Sequence, residues 1–171
     1  MKIKLANIEL LLLDVDGVLT DGNITYSDSG EQIKSFNSKD GLGMRLLMNA
    51  GIDVGIITGR KSKALGYRCK NLGITLLFDG IKDKSNALDT IISQTGIPAE
   101  NIAFAGDDLI DLPVMKRVGV SFCVCDASCD VQEHCDIITS LKGGQGAVRE
   151  ICESILKAKG LWDIILKKYL S

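Results

Sequence analysis

The sequence predicts an α/β protein built on a doubly wound parallel sheet. Short apolar segments of strand length recur along the 171 residues, and segments with helical periodicity lie between most of them. Because short strands that alternate with helices usually pair in parallel, we expect one sheet covered by helices on both faces.

The predicted elements follow one another in the order that such a sheet requires. Strands are predicted at residues 10–15, 54–58, 75–78, 102–105, 121–124 and 137–139, and helices at 41–50, 62–72, 84–95, 112–118 and 147–157. The apolar run after the basic start of the chain is too short to cross a membrane and lacks a small-residue cleavage pattern. We therefore interpret it as a buried strand.

One segment interrupts the alternation of strands and helices. Residues 23–36 contain two short strand-like stretches, 24–26 and 32–36, around the turn Ser27-Asp28-Ser29-Gly30. Turn residues of this kind between short alternating stretches predict a β-hairpin. Because this hairpin directly follows an aspartate-rich loop, we expect it to lie over the carboxyl edge of the sheet, and we call residues 23–36 the flap.

Composition and charge favour one globular domain. The chain is 46% hydrophobic and 25% charged, and its formal net charge is −2 with acids and bases interspersed. This balance gives no reason to expect nucleic acid or a membrane surface as a partner. Residues 1–171 are therefore predicted to form a single domain, and the cytoplasm is the expected compartment.

The six cysteines are expected to stay reduced in that compartment. Four of them, Cys123, Cys125, Cys129 and Cys135, cluster beside His134. A zinc site is conceivable, but the spacing lacks a paired C-x-x-C knuckle. We interpret these cysteines as structural thiols.

Polar side chains stand at the ends of the predicted strands, where open α/β sheets bind their ligands. The candidates are Asp14 and Asp16 after the first strand, Thr58, Gly59 and Arg60 after the second, Lys84 at the start of the helix after the third, and Asp107, Asp108 and Asp111 after the fourth. A solvated surface would not place its charges so selectively.

These residue types suit phosphoryl transfer. We expect Asp14 to attack phosphorus as a nucleophile, and Asp16 to protonate the leaving oxygen and then accept a proton from water. Magnesium would offset the negative charge, with Asp14, Asp107 and the backbone carbonyl of Asp16 as ligands. Lys84 would add a positive charge against the phosphoryl group.

Further residues are expected to support this chemistry. Asp108 and Asp111 would orient the ion or its waters from outside the ligand set. Thr58 and the Gly59 amide, interpreted as the opening of a helix, would form an anion-binding turn. Arg60 and Arg68, taken to lie on one helix, would bind a substrate carboxylate.

Taken together and in this order, the motifs resemble those of the haloacid-dehalogenase superfamily. The matching positions are Asp14-Val15-Asp16-Gly17-Val18-Leu19-Thr20, then Thr58, then Lys84, then Gly106-Asp107-Asp108 with Asp111. The roles that the resemblance implies for these residues agree with those given above, and the fold that it implies is a Rossmann-like one.

The resemblance narrows to one family and covers nearly the whole chain. Residues 56–61, 68–74, 106–115 and 143–150 are similar to segments of the 3-deoxy-D-manno-octulosonate 8-phosphate phosphatases. Membership would imply magnesium-dependent hydrolysis of that sugar acid phosphate for lipopolysaccharide precursors. It would also imply a capless fold and a homotetramer assembled through the flaps. The apolar tail, residues 158–171, departs from the small polar tails of the family, so we expect it to pack on its own domain or on a neighbour.

Three alternatives compete with this hypothesis. A phosphatase for a related nine-carbon sugar acid phosphate is the nearest, although relatives of that kind tend to have glutamate where this chain has Arg60. A non-catalytic oligomeric partner of a sugar-nucleotide transferase would need none of the acidic residues. A nucleotide-binding protein is disfavoured because the glycine-rich turn at 143–146 lacks the G-x-G-x-x-G frame.

Overall fold

The computed structural model describes residues 1–170 and has the predicted α/β architecture. The strands are β1 (Leu10–Leu13), β2 (Thr25–Tyr26), β3 (Gln32–Ile33), β4 (Asp53–Ile57), β5 (Leu76–Phe78), β6 (Ile102–Gly106), β7 (Val120–Cys123) and β8 (Ile137–Ile138). The helices are α1 (Lys2–Ala6), α2 (Ser38–Asn49), α3 (Lys63–Leu72), α4 (Lys84–Thr95), α5 (Leu112–Met115), α6 (Cys129–His134), α7 (Ala147–Ala158) and α8 (Trp162–Leu170).

Six strands form one parallel sheet in the order β5-β4-β1-β6-β7-β8. The chain builds outward from β1 through β4 and β5, then crosses to the other side of β1 for the remaining strands. Leu10 pairs with Asp53 on one side and Ile102 on the other, so β1 is central. This arrangement confirms the doubly wound sheet and places its topological switch point between β1 and β6.

Most predicted elements are confirmed within a few residues. The α4 helix spans the predicted range, and its first turn is capped by the Asp83 side chain, which accepts from the amides of Ser85 and Asn86. Helices α1 and α6 were not predicted. Each buries a single side chain, so neither carries a periodic apolar pattern from which a helix could be read.

The flap is a β-hairpin, as predicted. Strands β2 and β3 pair antiparallel, with Thr25 opposite Ile33 and Tyr26 opposite Gln32. Gly30 closes the turn at φ +79°, a left-handed conformation that glycine adopts without strain. Between β1 and β4 the chain forms only the flap and α2, so the prediction of a capless fold is confirmed.

The glycine-rich turn at residues 143–146 packs against the loop that follows β1, residues 14–22, which we call the β1 loop. A Cβ atom on Gly143 would lie 1.7 Å from the carbonyl oxygen of Gly17, a distance that no side chain permits. The Gly144 amide donates to the carbonyl of Val18 at 3.0 Å, and the Gly144 carbonyl accepts from Asn37 Nδ2 at 3.2 Å. The turn therefore supports the β1 loop through backbone contacts.

The apolar tail is helical and packs on its own chain. The Trp162 ring at the start of α8 contacts Arg149 and Lys157 of α7, whose cationic groups each lie 5.4 Å from the ring centroid. Ile165 contacts the hydrophobic core. The prediction for the last residue, Ser171, lies outside the described residues. Across residues 1–170, the helices are too short or too polar to cross a bilayer.

The close approach at Gly143 leads to a stability prediction with a matched control. Gly143→Ala should lower the free energy of unfolding by about 1–3 kcal/mol, because the β1 loop must shift to admit the methyl group. Gly66→Ala in α3, where the new Cβ meets nothing within 4 Å, should raise it by about 0.5–1 kcal/mol. Urea unfolding of both variants measures the difference, and equal effects would contradict the packing described for the turn.

Candidate active site

The candidate site lies at the carboxyl edge of the sheet, at the switch point. An open cleft of about 560 Å³ is lined there by Asp14, Asp16, Gly22, Ile24, Thr58, Gly59, Arg60, Asp107, Asp108 and Ile110. The structure thus brings together most of the residues singled out from the sequence. Asp14 and Asp107 follow the neighbouring strands β1 and β6, whose parallel pairing brings the two carboxylates side by side.

Lys84 joins two of the carboxylates. Its Nζ lies 2.8 Å from Asp14 Oδ1 and 2.6 Å from Asp111 Oδ1, and its side chain is only 3% exposed. Burial alone would lower the pKa of Lys84, but the charges of Asp14 and Asp111 outweigh burial and raise the pKa. Lys84 therefore stays charged and holds Asp14 in a fixed position.

The neighbouring carboxylates repel one another. Burial raises the pKa of Asp14 to about 6, although Lys84 opposes the rise. Burial, together with the charges of Asp14, Asp111 and Asp108, raises the pKa of Asp107 to about 8. Asp14, Asp107 and Asp111 together carry more negative charge than the Lys84 ammonium offsets.

Asp111 organises the loop after β6. It is fully buried, and its Oδ2 accepts hydrogen bonds from the amides of Asp107 at 3.0 Å and Asp108 at 3.3 Å. Its Oδ1 accepts a hydrogen bond from Lys84 Nζ. A Cβ atom on Gly106 would lie 2.5 Å from Asp111 Cγ, so only glycine fits where β6 ends. The exposed Asp108 caps the turn that follows by accepting from the Leu109 amide at 2.8 Å.

Lys34 of the flap is a site residue that the sequence reasoning missed. Its Nζ donates to Asp16 Oδ1, and its side chain is buried although the flap around it is largely exposed. The available signal was alternation in the predicted strand 32–36, which places residues 32, 34 and 36 on one face. A lone basic residue on a flap that follows an acidic loop could have been nominated on that ground.

The turn after β4 differs from the prediction. Thr58 is buried and lines the cleft, and its hydroxyl accepts from the Arg60 amide at 3.5 Å. However, α3 begins only at Lys63, after the cap residue Ser62. The interpretation that Gly59 opens a helix, and that Arg60 shares that helix, is wrong. The chain first runs past the loop that follows β5, where the Ile81 amide donates to the Thr58 carbonyl at 3.0 Å.

The two arginines have different surroundings. Arg60 lines the cleft, and its Nε lies 3.7 Å from Asp16 Oδ2. Arg68 lies on α3, where it donates to the Asn37 carbonyl at 2.9 Å and faces the Phe36 ring at 5.8 Å. These contacts tie Arg68 to the segment that leads into α2. Substrate binding by Arg68 stays a prediction.

The donor set fits a hard divalent cation. Oxygen atoms of Asp14, Asp107 and Asp111 lie within 4.8 Å of one another. Carboxylate oxygens are the ligands that Mg²⁺ takes, and the upward pKa shifts at Asp14 and Asp107 indicate negative charge that a cation would neutralise. Since both oxygens of Asp111 already accept hydrogen bonds, Asp14 and Asp107 are better placed as direct ligands.

Among residues 1–170, the cysteine cluster forms no comparable group of three candidate ligands. Cys123 Sγ and Cys135 Sγ lie 2.9 Å apart at the sheet edge, and Cys129 is exposed. Burial, together with the hydrogen bond to Cys135, raises the pKa of the Cys123 thiol well above its usual range. These features fit structural thiols.

The pKa of Asp107 leads to a prediction about stability and pH. A carboxyl whose pKa is higher in the folded than in the unfolded chain stabilises the fold at low pH, and that contribution is lost as the pH rises through the folded value. In EDTA, Asp107→Asn should therefore melt at a higher temperature than the unmodified chain at pH 8 and at a similar temperature below about pH 4, where the carboxyl is protonated in the folded chain and largely protonated in the unfolded one. Asp53→Asn, at an exposed position at the start of β4, is the matched control. A pH-independent difference for Asp107→Asn would contradict the assignment.

Comparison with known proteins agrees with this geometry. Residues 77–151 match the family model described as haloacid dehalogenase-like hydrolase. A 3-deoxy-D-manno-octulosonate 8-phosphate phosphatase from Escherichia coli K12 is 48% identical over 160 residues, which are 94% of this chain and 85% of that protein.

Solved structures show the same relation. The phosphatase of that name from Moraxella catarrhalis, crystallised with magnesium, phosphate and KDO, has 39% identity and a TM-score of 0.96, with 98% of this chain and 97% of that chain covered. A cobalt-bound phosphatase from Haemophilus influenzae has 46% identity and a TM-score of 0.89, with 92% of each chain covered. With this fold, this cleft and this similarity, the chain belongs to the 3-deoxy-D-manno-octulosonate 8-phosphate phosphatase family of haloacid dehalogenase-like hydrolases.

Proposed function

We propose that this chain hydrolyses 3-deoxy-D-manno-octulosonate 8-phosphate to the free sugar acid and phosphate, in the synthesis of lipopolysaccharide precursors. One observation carries the proposal. Asp14, at the end of the central strand, is held by a buried lysine 2.8 Å away and stands beside a second carboxylate, Asp107, in an open cleft. That arrangement suits a nucleophile that receives a phosphoryl group next to a bound cation.

In the first step, a carboxylate oxygen of Asp14 attacks phosphorus while the bond from phosphorus to the sugar oxygen breaks. The Asp16 carboxyl group gives its proton to that leaving oxygen, which departs as a hydroxyl group of the sugar acid. The product on the enzyme is an aspartyl-phosphate at Asp14. Lys84 stabilises the charge of the transferring group because its ammonium is already fixed beside the attacking carboxylate.

In the second step, water replaces Asp14 on phosphorus. The Asp16 carboxylate accepts a proton from the water as the new oxygen–phosphorus bond forms, and the bond to Asp14 breaks. Inorganic phosphate leaves, Asp14 is again a carboxylate and Asp16 again carries its proton. The buried Thr58, which lines the cleft, supplies a hydroxyl toward the phosphoryl oxygens.

Asp14, Asp107 and the backbone carbonyl of Asp16 would hold Mg²⁺ in this cleft. When bound, the ion supplies positive charge against the phosphoryl oxygens and offsets the repulsion among the carboxylates. Asp108 and Asp111 lie at the same loop and would keep Asp107 oriented, because the two Asp111 contacts fix the backbone that carries it.

The substrate assignment depends on the family and on Arg60. Arg60 lines the cleft with its side chain half exposed, so it can reach the carboxylate of a sugar acid. The comparisons do not favour a nine-carbon substrate or a non-catalytic partner role. The intact set of Asp14, Lys84 and Asp107 also argues against a scaffold, which would have no need of it.

The first test is phosphate release from 3-deoxy-D-manno-octulosonate 8-phosphate with Mg²⁺, beside a nine-carbon sugar acid 9-phosphate and simple sugar phosphates. We expect a strong preference for the octulosonate. Asp14→Asn should lower kcat on the order of 10³-fold or more, because the amide is a poor nucleophile. Asp53→Asn, at the opposite edge of the sheet, is the control. Turnover that survives Asp14→Asn would remove Asp14 as the nucleophile, and a flat substrate profile would remove the substrate.

We also propose that the chain assembles as a homotetramer through its flaps. Ile24, Tyr26 and Ile33 are exposed on this short hairpin, where a second copy would cover them. Exposed apolar side chains on so short a hairpin favour an interface over a solvated surface.

Sedimentation tests the assembly. Tyr26→Asp should shift the chain toward smaller species, because a charge would be buried in the interface. Ile3→Asp, at an exposed position on α1, should leave the mass unchanged. An unchanged tetramer in Tyr26→Asp, or a monomeric unmodified chain, would refute assembly through the flap.

A further inference from the structure

Lys34 has a buried side chain on a hairpin whose other residues are exposed or half-buried. It follows β3 directly, and its side chain is 4% exposed, whereas Ile33 beside it is 56% exposed. A buried ammonium is costly unless it is paired and hydrogen-bonded. The partner of Lys34 is the Asp16 carboxylate on the β1 loop, so the two side chains fix each other's position.

The contact gives the two carboxylate oxygens of Asp16 different surroundings. Oδ1 accepts from the Lys34 ammonium. Arg60 Nε lies 3.7 Å from Asp16 Oδ2, which is beyond hydrogen-bond distance. One oxygen is thus anchored, and the other stays available in the cleft that Asp16 lines. A group that exchanges a proton with a substrate oxygen needs such an arrangement.

The flap itself has little internal support. Its two strands are each two residues long, and an isolated two-stranded hairpin is marginally stable at best. The Lys34–Asp16 pair joins this hairpin to the β1 loop. The other ion pair of the flap joins Glu31 to Lys63, and both of those side chains are largely exposed. The pair with Asp16 is therefore the stronger attachment, because exposed pairs contribute little.

We infer that Lys34 is a positioning residue for Asp16, which it holds by one oxygen so that the other faces the leaving oxygen of the substrate. The inference rests on the proposed function, in which Asp16 is the acid that protonates that oxygen. The contact that attaches the flap to the β1 loop is then the same contact that positions the acid. Lys34 touches neither the phosphoryl group nor Asp14 in this role.

The dependence of the rate on the leaving group of the substrate distinguishes this positioning role from a structural one. A sugar alkoxide is a strong base that needs a proton to depart, whereas p-nitrophenolate departs without one. Loss of a well-placed acid must therefore slow the sugar phosphate far more than p-nitrophenyl phosphate. The quantity to compare is kcat/KM, since it reports phosphoryl transfer to the enzyme and excludes hydrolysis of the shared aspartyl-phosphate.

The experiment measures kcat/KM for both substrates with Mg²⁺ in five proteins. They are the unmodified chain, Lys34→Met, Lys34→Arg, Asp16→Asn and the flap control Lys63→Met. We expect Lys34→Met to lose about 10- to 100-fold on the octulosonate phosphate and less than about 3-fold on the aryl phosphate, a part of the 10²–10⁴-fold typical of acid catalysis. Lys34→Arg should recover part of the loss, and Lys63→Met should match the unmodified chain on both substrates.

Two other outcomes would overturn the inference. Equal losses of Lys34→Met on both substrates would mean that Lys34 acts on the fold or on the phosphoryl group, and no loss on either would mean that Asp16 needs no anchor. Failure of the proposed function is separate, since Asp16→Asn would then show no dependence on the leaving group. If Lys34→Met does not fold, Lys34→Gln replaces it, because the amide keeps a similar length and a donor without the charge.

Discussion

The buried ammonium of Lys84 is the interaction on which the site depends. It lies between Asp14 and Asp111, two carboxylates whose side chains are almost inaccessible to solvent and would otherwise lack an opposite charge. Removing one partner of a buried pair costs about 3–5 kcal/mol because the other charge is left uncompensated. The same contact has two consequences. Asp14 is fixed at the end of the central strand, and Asp111 is fixed where its second oxygen can hold the loop after β6.

This arrangement requires the backbone at three glycines to lie very close to neighbouring atoms of the site. Gly17 has φ +94°, and a Cβ atom there would lie 2.0 Å from Asp107 Oδ2. Gly106 and Gly143 are restricted in the same way by Asp111 and by the β1 loop. The carboxylates can gather at the switch point only because these positions carry no side chain, so glycine is as much a part of the site as the acids are.

Much of the fold could be predicted from the sequence, because buried parallel strands and amphipathic helices have distinct periodicities. The carboxylates could also be predicted, since each one follows a strand and parallel strands end at one edge. The contact of Lys34 with Asp16 could not, because it joins two residues 18 positions apart through the orientation of a hairpin. The helix at 62–72 was predicted within one residue of α3, but the interpretation that Gly59 opens a helix was wrong for a similar reason. The turn at Thr58 is held by a hydrogen bond from the Ile81 amide, and no local sequence pattern predicts that contact.

The packing of Trp162 has an optical consequence. It is the only tryptophan in the sequence, and its ring faces the cations of Arg149 and Lys157 at the start of the last helix. Tryptophan fluorescence of this protein therefore originates at one place, on the side chain that joins α8 to α7. Detachment of the tail would expose the indole to water and shift its emission to longer wavelength while the sheet stays folded. The wavelength of tryptophan emission thus reports whether the tail is attached, separately from whether the core is folded.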